Sequence, residues 1–120
     1  MQDAAKDHNH DFVSSRDVDG TAVYSLKHEH VGTIDHLMID KETGKVAYAI
    51  MGFGGFLGLG EEEYAIPWGS LNYDRSAGGF VTDITPDQLK AAPPRPENWY
   101  RDRTYQTRLY DHYGVPYFWL

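Results

Sequence analysis

The chain has 120 residues, 41% hydrophobic and 14% aromatic, with 18 acidic side chains against 11 basic ones. That is enough for one hydrophobic core, too little for two ordinary domains, and unlike a disordered tail. The net charge of −7 disfavours non-specific binding to nucleic acid, and the lack of cysteine excludes disulfides, thiol catalysis and thiolate metal sites.

Residues 1–13 read as a polar lead-in without the apolar stretch of a signal sequence. No uncharged apolar run approaches the roughly 20 residues that cross a bilayer. The expectation is a cytoplasmic protein with no membrane insertion. Ser14 and Ser15 ahead of Arg16-Asp17-Val18 resemble a capped turn closed by Gly20. Strand-like runs Thr21–Leu26 and Val31–Asp40 flank the polar connection Lys27-His28-Glu29-His30. A second turn covers Asp40–Lys45, with Gly44 suited to a positive φ. Val46–Phe53 is a strand with apolar residues on both faces, Val46, Tyr48 and Ile50 on one and Ala47, Ala49 and Met51 on the other. Such a strand is covered on both sides.

Residues 52–60, Gly-Phe-Gly-Gly-Phe-Leu-Gly-Leu-Gly, combine a permissive backbone with large side chains that gain only by burial. Glu61-Glu62-Glu63 and the run Tyr64–Trp68 follow, and Pro67 marks an edge, bulge or strand end. Leu71–Asp74 and Gly79–Ile84 are two more short strands. Thr85-Pro86-Asp87-Gln88 opens a short helix with a capping box. Pro93, Pro94 and Pro96 form an extended spacer, and the stretch 98–112 beyond it is free of Gly and Pro and reads as helical. The aromatic density of residues 99–119 is too high to be left in water, so this tail is expected to dock on the outer face of its own domain or a neighbour's. The chain thus divides into a lead-in (1–13), a β domain (14–92), and a spacer with an aromatic docking tail (93–120).

The runs Ser15–Gly20, Val31–Ile34, Gly44–Ile50, Gly54–Gly60, Ile66–Trp68 and Leu71, in that order and spacing, resemble the stand-alone PRC-barrel proteins of bacteria. The similarity spans residues 14–92. The resemblance implies a mainly β fold: a small barrel of about six short, mostly antiparallel strands, a short helix after the last strand, and here an aromatic, partly helical tail. It implies docking against other macromolecules and no common catalytic residues. The family includes the cytoplasmic domain of the photosynthetic reaction-centre H subunit and the C-terminal domain of a ribosome-maturation factor. A photosynthetic assembly or electron-transfer accessory and an RNA- or ribosome-associated factor are therefore alternative readings.

The chemical motifs are weak. The glycines at 52, 54 and 58 lack the following helix of a dinucleotide site, and the three glutamates after them would repel phosphate. His8 with His10, and His28 with His30, have i, i+2 spacing, but zinc needs three or four ligands, and nothing in the sequence joins the pairs. His28 and His30 are the candidate ligands of a metal or small-molecule sensor, against the simpler reading of solvated histidines. No serine lies in Gly-x-Ser-x-Gly; Gly69-Ser70 is read as shaping a turn. The sequence therefore points to a non-enzymatic adaptor without cofactor, acting on an unidentified protein partner and self-associating as a dimer. Its candidate interaction surface is Phe53, Phe56, Leu57, Leu59, Trp99, Tyr110, Tyr113, Tyr117 and Trp119.

Overall fold

A computed structural model describes residues 12–53 and 63–120. A single-turn helix α1 (Ser15–Val18) precedes β1 (Ala22–Tyr24), β2 (His30–Ile39), β3 (Val46–Phe53), β4 (Glu63–Pro67), β5 (Asn72–Asp74) and β6 (Gly79–Val81). Helix α2 (Pro86–Ala91) follows the strands, and α3 (Arg103–Tyr113) lies in the tail. The Ser14 hydroxyl accepts the Arg16 N–H at 3.2 Å and so caps α1. β1 is shorter than the expected Thr21–Leu26 because Ser25 turns the chain. Its hydroxyl accepts the N–H groups of Lys27 and Glu29, and its carbonyl accepts that of His28. At the next turn the Asp40 carboxylate accepts the Thr43 hydroxyl at 2.6 Å, and Gly44 takes φ +79°. In α2 the Thr85–Gln88 capping box is complete in both directions.

The six strands form one mixed sheet in the order β4-β3-β2-β1-β6-β5. Every neighbouring pair is antiparallel except β1 and β6, where Val23 lies opposite Phe80 and Tyr24 opposite Val81. Pro67 ends β4, an edge strand, where a missing backbone N–H costs no ladder bond. Gly32 passes close under β3, and a Cβ there would lie 2.5 Å from the Gly52 carbonyl oxygen.

β4, at one end of the sheet, and β6, next to the other end, share one core. Ile66 of β4 and Phe80 of β6 belong to the same buried cluster as Val23, Ile34, Met51, Phe53 and, from α2, Leu89. Trp68, just past β4, meets the Phe80 ring edge-on at 5.3 Å. The buried Thr82 hydroxyl donates to the Ser70 carbonyl at 2.9 Å and ties the turn after β4 to the end of β6. The result is a small, curled β fold with a filled interior. Among the described residues, no helix is long and apolar enough to cross a membrane.

Candidate functional site

β3 is the strand that needs cover on both sides. Ala49, Met51 and Phe53 belong to the interior cluster, while Ala47, Tyr48 and Ile50 pack with Ala65 of β4 and with Tyr105, Leu109 and Tyr110 of α3. Strict alternation would put Ala47 with Ala49 and Met51, and the structure corrects that expectation. Opposite β3, Met38 pairs with Tyr48 but Ile39 with Val46, so Ala47 is the extra residue of a β-bulge. A bulged residue is left out of the ladder. The Ala47 carbonyl instead accepts the Tyr110 hydroxyl at 2.6 Å in a buried bond. β2 has a bulge of its own at Asp35, whose carboxylate lies 2.6 Å from His36 Nδ1 on the exposed surface.

The tail reaches this face through residues 93–96. It is not one helix over 98–112. A 3-10 turn at Trp99–Arg101 comes first, and Asp102 adopts an extended conformation, with its side chain capping the Tyr105 N–H at 3.0 Å. A short carboxylate that bonds a nearby backbone N–H interrupts a helix and starts a new one, which explains the break. On α3, Tyr105, Leu109 and Tyr110 form the buried stripe, and His112 Nε2 lies 2.8 Å from the Gln88 carbonyl of α2. Tyr48 is surrounded edge-on by Trp99 at 5.2 Å, Tyr110 at 5.4 Å and Phe118 at 6.1 Å. Tyr110 also meets Tyr117 and Trp119, which stack on each other at 4.7 Å. The Tyr117 hydroxyl donates to Asp111 at 2.6 Å, and the Arg103 guanidinium sits 3.9 Å from the centre of the Trp119 ring. Burial raises the hydroxyl pKa values of Tyr48, Tyr110, Tyr105 and Tyr113, while the hydrogen bond to Asp111 raises that of Tyr117.

The residues singled out in the sequence fall into three groups. Phe53 and Tyr110, expected as contact residues for a partner, are only 1% and 2% exposed, so they act as core side chains of this chain. Trp99, Tyr113, Tyr117 and Trp119 gather on the outer face of the sheet and stay partly exposed. Phe56, Leu57 and Leu59 lie outside the described residues, as do His8 and His10. His28 is exposed in the β1–β2 turn, and His30 rests edge-on against Tyr24 at 5.9 Å. Neither belongs to a group of three or more metal-ligating side chains, of which there are none among the described residues. Tyr105, Leu109, Arg103 and Phe118 lie outside the candidate surface named from the sequence, although Tyr105 and Phe118 belong to the aromatic tail expected to need cover. The i, i+4 spacing of Tyr105 and Leu109 carried a readable signal, whereas the stacking of Arg103 left none.

The chain is similar to known proteins over part of its length. An uncharacterized protein of Deinococcus radiodurans is 26% identical over 92 residues, which is 77% of this chain and 31% of that protein. The chain thus spans about a third of that relative's length. A solved structure from Pseudomonas aeruginosa, described as the 16S ribosomal RNA processing protein RimM, aligns with a TM-score of 0.42 at 23% identity. That alignment covers 62% of this chain and 45% of the other. The PRC-barrel domain family matches residues 10–89, two thirds of the sequence. With its six-stranded mixed sheet, a short helix after the last strand and an aromatic C-terminal tail, this chain belongs to the PRC-barrel domain family.

Proposed function

We propose that the protein is a non-catalytic adaptor whose barrel carries an aromatic platform for docking another protein. The carrying observation is the layer of partly exposed rings held on the outer face of β3. Trp99, Tyr117, Phe118 and Trp119 are fixed by ring contacts, and the neighbouring Tyr100 is 56% exposed. Rigid aromatic side chains that are part apolar and part polar supply contact area at little entropic cost, which suits a protein interface. The test is affinity capture by the full chain, compared with Tyr100→Ser and Trp119→Ser proteins of unchanged circular dichroism. A partner retained by the parent and lost by both variants supports the platform. A partner set unaffected by either change refutes it.

A homodimer is the second reading. It is favoured by the proline-rich connection at residues 93–96, across which the same tail contacts could close on a second copy. Light scattering at micromolar concentration decides it, and a monomeric mass removes the dimer.

A further inference from the structure

Where the β2–β3 turn meets the start of the tail there is a half-open cavity of about 500 Å³. That lies within the size range of small-ligand sites, roughly 300–1,000 Å³. Its charge runs against that of the chain. Lys41, Arg101 and Arg103 line it against the single carboxylate of Asp40, in a protein of net charge −7. Hydrogen bonds from the hydroxyl and N–H of Thr43, with the charge of Arg103, keep the Asp40 carboxylate ionised, yet one anion against three cations leaves the lining net positive.

Both guanidinium groups lie against aromatic rings. Arg103 lies over Trp119 and Phe118, and Arg101 over Tyr100 at 5.8 Å. Neither side chain has an ion pair or hydrogen bond among the described residues. A guanidinium held against a ring without an ion pair keeps its N–H donors, the fork that matches a carboxylate or phosphate. Between these cations the wall is aromatic, from Trp99, Tyr100 and Phe118. Tyr48 closes the inner side, 3% exposed, and its buried hydroxyl has no hydrogen-bond partner among the described residues.

We propose that this cavity binds a small aromatic anion. The flat ring packs against Trp99 and Phe118, and a carboxylate or phosphate group bridges the edges of Arg101 and Arg103. The cavity shares Trp99, Tyr100 and Phe118 with the docking platform, but small-molecule binding is read on the free protein, so its failure and that of docking are distinguishable.

The test follows tryptophan fluorescence, to which Trp99 and Trp119 report locally, during titration with phenyl phosphate, phenylacetate and, as the neutral ring, benzyl alcohol. Saturable binding of at least one acid, with no saturation by the alcohol, is the expected result. Comparing the two acids separates a phosphate from a carboxylate ligand. Arg101→Gln and Arg103→Gln should each weaken binding about tenfold through loss of a charge-assisted contact, and Asp40→Asn should tighten it a few-fold. Arg103→Gln also disturbs the Trp119 stack. Arg101, exposed and near only the exposed Tyr100 ring, is therefore the variant that separates binding from tail packing. No saturation by either acid below about 10 mM, equal binding of the alcohol, or an Arg101→Gln protein that binds like the parent would each overturn the site.

Discussion

Ala47 stands unopposed in the β2–β3 register, and its carbonyl is taken by a hydroxyl from a residue 63 positions later in the chain. Tyr110→Phe keeps the ring contacts and removes only that donor, leaving a buried acceptor unpaired. The expected loss is about 1–3 kcal/mol, read as a lower urea midpoint with an unchanged slope. An unchanged midpoint would mean that water replaces the hydroxyl and that the rings alone hold the tail. This contact was not legible in the sequence. Val46, Ala47 and Tyr48 are all apolar, so a shift of one residue between faces leaves no mark on the hydrophobic pattern. Gly44 shows the opposite case, because a tight turn flanked by polar residues names its own positive φ.

Among the elements, those with a local chemical signature could be read directly. The capping box of α2 is written in Thr85, Pro86 and Gln88, and the bounds of β3 follow from an apolar run between a turn and a glycine-rich segment. The tail was legible in its need for cover, since its rings exceed what a surface tolerates, but not in its break. Asp102 reads equally well as an exposed helical residue and as a cap, and only the path of the chain across the sheet selects the cap. Asp102→Ala should cost α3 about 1 kcal/mol, seen as a loss of helical circular dichroism at intermediate urea before the sheet unfolds. Asp102→Asn, which can still accept the Tyr105 N–H, should recover most of that stability. If the alanine and asparagine proteins unfold alike, the cap is not what starts the helix.

Taken whole, the molecule is two apolar layers on the two sides of β3 and β4, and the outer layer is rich in phenols. Burial raises the pKa values of Tyr48, Tyr110 and Tyr113 above the ordinary value of 10.0. The folded state therefore keeps protons that the unfolded chain releases near pH 10. The stability these groups lend is complete below about pH 10 and is lost as pH climbs towards their folded values. Urea midpoints should accordingly hold steady from neutral pH to about pH 10 and then fall, with phenolate absorbance rising in step with loss of the tail. A midpoint that stays level well above pH 10 would place these hydroxyls in water.

The bond between Tyr110 and Ala47 also sets an order of events during synthesis. The acceptor exists only after β2 and β3 have paired with their bulge, and the donor is made dozens of residues after β3. At translation rates of about 5–20 residues per second, Tyr48, Ile50 and Ala65 face solvent for seconds before their cover is available. A growing chain that has paired β2, β3 and β4 thus carries an apolar flank whose cover is made later. During that interval the chain exposes apolar surface that the finished fold covers, the kind of surface that favours aggregation.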